Sequence, residues 1–522
     1  MDKFVHRTAE RIKRILKTEN DLQESLLVKL AQGEPTQLTS SVAEAILRQA
    51  CNTPPQRPDI IIFSSGDWET LNQKSQLLVI QLAEFGHRIF YVQTSQCQGS
   101  APQIKKTRQN TYLIMLPEIN NTSVINSPLS LDEVVKLRES LLQIIKAFNI
   151  RTAFLKVDQP YWIDLATYIC QERSWRLVYD CTQKQPVTPG YAEKFRQAEL
   201  FLLDKSDLVI FSSPTEQVDI GRPVRNAITI PDIPDVNVDN REEVETSRIK
   251  AIHECAEMIE GELYKRYPKI SIIVVTYNKL EYTRMCLESL VRNTDYPNYE
   301  IILVDNGSKD GSVEVLREFR EQHQQVMLIE NARNLGFAMA NNMGAKAASG
   351  EYLVLLNNDT LVTPGWLLGL LVHLTRHPSA GMVGPVTNAI GNEAKIRSDY
   401  KELSEINYFA ARRADRYAGI AFEIRVLALY CAMISRSLYS RLGGLDERFA
   451  VGMFEDDDLA LKIKQVGLVL ICAEDVFIHH FHGMSFNQFE DQELQRIFHE
   501  NRIKFEQKWG VTWQPHQNRP RT

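Results

Sequence analysis

Lys269-Ile270-Ser271-Ile272-Ile273-Val274-Val275-Thr276-Tyr277-Asn278 is the stretch that decides the fold. A run of β-branched apolar residues that stops at an aromatic and an amide reads as a buried parallel strand with a polar tip. Working downstream, the pattern predicts helix Tyr282–Arg292, strand Glu300–Val304, helix Ser312–His323, strand Val326–Glu330, helix Phe337–Ala348 and strand Tyr352–Leu356. That alternation predicts an α/β sheet, and its strands end in Asn278, Asp305, Asn331 and Asn358. Ligands of open α/β sheets bind outside the carboxyl ends of the strands, so four polar strand ends in succession mark a binding edge.

Upstream, the same alternation runs from Arg57. Strands are predicted at Asp59–Phe63, Arg88–Val92, Ala153–Val157, Arg176–Tyr179 and Leu208–Phe211, with helices at Gln73–Phe85, Leu131–Phe148 and Pro189–Lys205. This predicts a second, doubly wound parallel sheet. Before it, apolar residues at three-to-four spacing, from Ile12 to Leu30 and from Val42 to Leu47, predict an amphipathic helical element for packing or homo-oligomerisation. Pro231, Pro234 and a polar stretch end the first sheet, and a charged helix from Arg248 to Tyr264 leads to the next. The expected layout is a helical segment at 1–56, a Rossmann-like domain at 57–235, a linker helix at 236–267 and a second α/β domain at 268–515.

The bulk numbers agree with two domains, because 522 residues exceed what one ordinary core organises. A formal net charge of -6 disfavours nucleic acid as a partner. No apolar run approaches the roughly 18 residues that span a bilayer. At most peripheral membrane contact is therefore expected, and the N-terminal residues lack an apolar signal core, so nothing suggests secretion. Eight scattered cysteines without a CxxC pair point to reduced thiols and a cytoplasmic location.

Chemistry concentrates in a few clusters. Thr276, Tyr277 and Asn278 offer an aromatic face and hydrogen-bonding groups. Asp305 can accept from a base or ribose, or can simply close an Asx-turn before Ser312. Arg333 and Asn334 introduce a helix whose first amides suit phosphate. Asn357-Asn358-Asp359 ends an apolar strand, where a carboxylate can hold a hard divalent ion against a diphosphate; the plainer reading is a polar turn. Glu455-Asp456-Asp457-Asp458 and Ile478-His479-His480-Phe481-His482-Gly483 complete the set. The acidic run also suits a dipole-stabilising helix start.

Taken together, the Ser271–Asn278 strand, Val304-Asp305-Asn306-Gly307-Ser308, Asn334-Leu335-Gly336-Phe337 with Asn341 and Asn342, Leu355-Leu356-Asn357-Asn358-Asp359, and Leu442–Phe449 before the acidic run resemble a family 2 glycosyltransferase of the GT-A fold. The resemblance covers about half of the chain. It implies an inverting hexosyl- or deoxyhexosyltransferase, with a nucleotide-diphosphosugar donor and a glycan, lipid-linked or protein acceptor, in surface polysaccharide assembly. It implies stacking of the nucleobase on Tyr277, a hydrogen bond from the base or ribose to Asp305, and donor contacts from Thr276, Asn278, Arg333, Asn334 and Asn358. A divalent metal, Mn or Mg, falls to Asp359 and His480, with His479 and His482 as neighbouring alternatives. Asp456 becomes the base, Glu455 a positioning carboxylate and Asp458 supporting charge. Asn357 stands where the family usually has a carboxylate, which removes one negative charge from the metal's surroundings. The alternative reading is a sugar-nucleotide-binding module without turnover. The first sheet resembles, more loosely, the acceptor-side Rossmann domain of GT-B glycosyltransferases, which implies a scaffold or acceptor-recognition role with Asp67, Trp68, Asp158 and Asp180 as its residues to test.

Overall fold

The computed structural model describes residues 27–71, 73–108, 110–119, 129–182, 192–213, 215, 223–230, 241–449, 452–481 and 491–519. The helix expected over the first 26 residues, the beginning of the one expected at 189–205, and His482 lie outside these. Two compact units are present, Met1–Arg266 and Tyr267–Thr522.

Among the described residues, the first unit is built on nine strands: β1 (Thr36–Gln37), β2 (Asp59–Phe63), β3 (Ile89–Val92), β4 (Gln103–Arg108), β5 (Thr111–Met115), β6 (Ala153–Val157), β7 (Arg176–Asp180), β8 (Leu208–Phe211) and β9 (Ala227–Thr229). They lie in the order β1-β4-β5-β3-β2-β6-β7-β8-β9. From β5 to β9 every pairing is parallel, while β4 and β1 add an antiparallel margin. The parallel core is as the alternation predicts. The β4–β5 hairpin is not: Gln103-Ile104-Lys105-Lys106-Thr107-Arg108 carries little apolar pattern because only one side of this near-edge strand faces the core.

Helices cover the sheet. Helix α1 (Ser40–Asn52) buries Val42, Ala45, Ile46 and Leu47; α2 is Gln73–Glu84. Helix α3 (Leu131–Ala147) starts at a capping box in which Ser130 and Glu133 satisfy each other's main-chain N–H groups. Next come α4 (Ile163–Arg173) and α5 (Ala192–Lys205). Helix α6 (Arg241–Tyr264) packs within this first unit, burying Ile252, Cys255, Ala256, Ile259 and Leu263. Its Glu260 meets Arg57 and, at 3.0 Å, His87; these two partners and Tyr264 hold that carboxyl down to about 2 against the opposing effect of burial.

The second unit's main sheet has eight strands: β10 (Ile270–Thr276), β11 (Tyr299–Asp305), β12 (Val326–Glu330), β13 (Tyr352–Asn357), β15 (Ala380–Val386), β16 (Ala421–Glu423), β17 (Cys431–Ser435) and β18 (Val469–Phe477). A separate two-stranded ribbon joins β14 (Thr360–Leu361) to β19 (His479–His480). The main order is β12-β11-β10-β13-β17-β15-β18-β16, parallel through its first four members. Strand β17 then runs antiparallel to both β13 and β15. Strand order reverses between β10 and β13, so their carboxyl ends open a crevice at that point.

Helices α7 (Leu280–Asn293), α8 (Ser312–Gln322) and α9 (Phe337–Ala347) connect the parallel strands. Helices α10 (Trp366–Arg376), α11 (Ile406–Arg416), α12 (Arg436–Arg441), α13 (Glu455–Gln465) and α14 (Asp491–Trp509) complete the unit. One core runs through Ile273, Ile302, Leu355, Ile434, Leu459, Ile463 and Leu470, locking α13 onto the sheet. Among the described residues no helix is long and apolar enough to cross a membrane.

In the first unit, Arg88 donates from Nε and one terminal nitrogen to the two oxygens of Asp59, at 2.7 and 2.6 Å, and from the other terminal nitrogen to the Phe148 carbonyl at 2.9 Å. The Asp59 side chain is wholly buried. Arg88→Met therefore leaves an unpaired buried carboxylate and should lower the unfolding free energy by about 3–5 kcal/mol. The Asp59→Asn/Arg88→Met double variant should recover part of that loss, both read from urea denaturation midpoints.

Candidate active site

At the tip of β10 the main chain turns through two left-handed residues, Asn278 at φ 56° and Lys279 at φ 64°. The turn is held by the second strand end. Asn278 N–H donates to Ser308 Oγ at 2.8 Å, and Lys309 N–H donates to Asn278 Oδ1 at 2.8 Å. Asn278 is thus committed to joining two loops. Tyr277 beside it is half-buried, leaving part of its ring accessible.

Both readings of Asp305 hold at once. Its Oδ2 accepts from the N–H groups of Gly307 and Ser308, at 3.0 and 3.1 Å, which closes the turn. Its Oδ1 is buried without a hydrogen-bond partner. Gly307 sits at φ +83°, and a Cβ there would stand 2.7 Å from the main chain of Arg333, so only glycine lets these two loops touch. Arg333 itself is exposed on that loop. Asn334 and Asn306 brace it: Asn306 Nδ2 donates to Asn334 Oδ1 at 2.8 Å, while Asn306 Oδ1 accepts from Leu335 N–H at 3.0 Å. Asn334 therefore shapes the loop around Arg333.

Asn358 is also an anchor, donating from Nδ2 to Thr283 Oγ1 on α7 at 2.8 Å. Asp359 turns the other way. Thr360 pairs with His480 and Leu361 with His479, and this ribbon brings Asp359 Oδ1 to 3.3 Å from His480 Nε2. His480 Nδ1 lies 3.0 Å from the Ala389 carbonyl, which can only accept, so Nδ1 carries the proton. Nε2 is the ring nitrogen turned toward Asp359, whose Oδ1 is buried and has no partner of hydrogen-bond geometry among the described residues. The imidazole stacks on Tyr430, with centroids 5.0 Å apart and planes at 15°. His479 faces elsewhere, its Nδ1 2.6 Å from the Tyr400 hydroxyl, and burial pushes its pKa down to about 4.

A carboxylate oxygen and an imidazole nitrogen facing one another suit a divalent ion. No cluster of three or more His, Cys, Asp or Glu ligands exists among the described residues, so the pair would hold a metal whose shell is completed by substrate and water.

The acidic run opens α13 behind two further left-handed residues, Met453 at φ 76° and Phe454 at φ 77°. Such strained backbone persists only where the surroundings hold it. Here Phe454 packs with Phe449, Phe498, Phe505 and Trp513, and Asn501 Nδ2 donates to the Gly452 carbonyl at 2.9 Å. Position 444 is also constrained. A Cβ there would meet Asn342 Oδ1 at 2.5 Å, and that same Oδ1 accepts from Leu445 N–H at 2.9 Å, pinning the loop before the acidic run to α9.

The four carboxylates are not equivalent. Asp458 accepts from Lys508 and from Trp509 Nε1, and lies 3.2 Å from Lys462. Asp457 accepts from Trp513 Nε1 at 3.1 Å and from His516 Nε2 at 3.0 Å. Among the described residues no cation is bonded to Glu455 or Asp456, and Glu455 Oε2 is buried without a partner there. Burial, then the charge of Asp456, raises the Glu455 carboxyl; burial, then the charge of Asp457, raises that of Asp456. Sequence alone assigns no separate role to Asp457, Trp513 or His516. The one signal was the spacing of Trp513, His516 and Arg519, every third residue in an otherwise polar stretch.

In the first unit, Asp158 and Asp180 flank Lys156 at the ends of β6 and β7, beside a cavity of about 40 Å³. Asp67 accepts from Ser95 N–H at 2.8 Å, and Trp68 packs edge-on against Tyr91.

Comparison with known proteins agrees with the second unit. The model of the family described as glycosyl transferase family 2 matches residues 271–443. The O-antigen biosynthesis protein RfbC of Myxococcus xanthus is 30% identical over 226 residues, 41% of this chain and 17% of that protein. Glycosyltransferase GlyG of Streptococcus pneumoniae is 40% identical over 93 residues, 18% of this chain and 31% of its own. The chain thus spans less than a third of the length of these two curated relatives. Among solved structures, the mannosyltransferase PcManGT from Pyrobaculum calidifontis in complex with GDP-Man and Mn2+ is similar over 51% of this chain and 75% of that one, at 22% identity and a TM-score of 0.34. With the strand-end residues in place and the family model lying across them, the second unit of this chain carries a glycosyl transferase family 2 domain.

Proposed function

We propose that the second unit is an inverting, metal-assisted glycosyltransferase. It moves one hexosyl or deoxyhexosyl group from a nucleotide-diphosphosugar to a hydroxyl of a glycan, lipid-linked or protein acceptor, in the assembly of surface polysaccharide. The observation that carries this reading is a set of orphaned atoms. Among the described residues, Thr276 Oγ1, Asp305 Oδ1, Asp359 Oδ1 and Glu455 Oε2 are all buried without hydrogen-bond partners, and all belong to residues at strand or helix ends. Leaving such atoms unpaired costs about 1–3 kcal/mol each, a cost that a ligand repays.

In this reading Tyr277 stacks on the nucleobase and the spare oxygen of Asp305 accepts from the base or ribose. Arg333 reaches the diphosphate from a loop that Asn334 holds rigid. A divalent cation, Mn or Mg, would be held by Asp359 and His480, with Asn357 as a neutral oxygen nearby, and would offset the charge of the departing diphosphate. Asp456 takes the proton from the acceptor hydroxyl as that oxygen attacks the anomeric carbon, and Glu455 orients the acceptor. A base whose pKa is raised above the ordinary carboxylate range is better matched to work near neutral pH. A cytoplasmic placement is part of this reading, and eight buried cysteines accord with it. The first unit serves as scaffold or acceptor recognition.

Asp456→Asn should reduce donor hydrolysis and transfer by at least ~100-fold while nucleotide affinity changes less than about twofold. Turnover retained in that variant would place the base elsewhere, and nucleotide binding without turnover in the parent would favour a sugar-nucleotide-binding module. Asp359→Asn and His480→Gln should each weaken Mn binding about 10–100-fold in calorimetric titrations with nucleoside diphosphate present. In the parent, kcat/KM should rise with pH through an apparent pKa above the ordinary carboxylate value of about 4, because the ionised form of the raised Glu455–Asp456 pair is the active one.

A further inference from the structure

The segment 510–519 follows α14 outside any helix or strand and is held through both its side chains and its main chain. Trp513 and His516 take both oxygens of the buried Asp457. Trp513 N–H also donates to Glu506 Oε1 at 3.0 Å, and its ring edges against Phe454. Arg425 donates to the carbonyls of Gln514 and Pro515, at 2.8 and 2.9 Å. Arg519 donates to the Glu393 carbonyl at 3.0 Å and pairs with Glu474 at 2.8 Å. Five of these ten residues are anchored, and two of them, Trp513 and His516, fasten the strap to the first turn of α13.

We propose that the strap is a working part of the transfer site, with His516 as a positioning residue that holds a positive charge next to Asp456 through Asp457. The inference rests on the glycosyltransfer reading above. Its electrostatics follow from neighbours. Glu455, Asp456 and Asp457 place three carboxylates on one helical turn, and like charges at this distance oppose one another's ionisation. Lys508 and Lys462 serve Asp458, not these three. The groups facing His516 are Asp457 and Asp456 on α13 and the more distant Arg425. The hydrogen bond to Asp457 raises the pKa of His516 above its ordinary value, against the effect of burial. In turn, the imidazolium lowers the pKa of Asp456, offsetting part of what burial and Asp457 do. Asp456 Oδ1 also accepts from Asp457 N–H at 2.9 Å, so fixing Asp457 fixes the base.

Two variants separate charge from anchoring. His516→Gln keeps a donor for Asp457 and loses the charge; His516→Lys keeps a charge. The expected result for His516→Gln is an acid limb of kcat/KM displaced upward by about one pH unit, so that activity near pH 6 falls roughly tenfold and returns near pH 8.5. The KM for donor should stay unchanged, and His516→Lys should follow the parent profile. A His516→Gln profile that superimposes on the parent's overturns the proposal. If the parent turns over no nucleotide sugar, the glycosyltransfer reading fails by itself. Carbon-13 NMR titration of the parent's histidines, assigned with either variant, then decides the strap: a His516 pKa above the ordinary value of about 6.5 supports it, and one at or below that value overturns it.

Discussion

Two residue pairs, Thr360 with His480 and Leu361 with His479, close the second unit onto its own strand ends. Everything proposed for the metal depends on that short ribbon. It joins the end of β13 to a segment more than a hundred residues later and lays a carboxylate against an imidazole. The remaining strand ends are arranged by the sheet itself: reversal of strand order between β10 and β13 opens a crevice, and the tips of β10, β11 and β13 each present a polar residue to it.

A second constraint concerns how carboxylates share one helix start. Four consecutive acids would repel one another, and the structure resolves this by bonding two of them. Asp457 and Asp458 are consumed by Trp513, His516, Lys508 and Trp509. Glu455 and Asp456, the carboxylates proposed for the chemistry, lie on a helix whose first turn is held by an aromatic cluster and by strained backbone at Met453 and Phe454. In the proposed reading, rigidity and reactivity come from different residues in the same run. A similar division operates at the donor end, where Asn278, Asn334 and Asn358 tie loops together while Asp305 and Asp359 each keep an oxygen unsatisfied.

Much of the fold was legible from local pattern. Buried parallel strands are long β-branched runs, as at Ile60-Ile61-Ile62 and Ile270–Thr276, and the helices between them carry regular apolar spacing. What escaped had weak local signal for a physical reason. The polar β4 strand has water along one side, and β17 could be assigned its antiparallel direction only by its neighbours, since direction leaves no mark on composition. The helix at 241–264 reads as a connector because its charge is evenly spread, yet its sparse apolar residues find a surface in the first unit.

Residue type and order by themselves determined the α/β class, the polar strand ends, and which carboxylates and imidazoles were candidates, because hydrophobic periodicity and side-chain chemistry are local properties. Only the tertiary structure decided that His480 and not His479 faces Asp359, since that choice rests on a pairing register and on a carbonyl that orients the ring. It also showed what Asp457 is bonded to, because the groups that hold Asp457 come from residues 513 and 516, some sixty positions away. A carboxylate's role is set by the partners folding brings to it, and those partners are not written in its own neighbourhood.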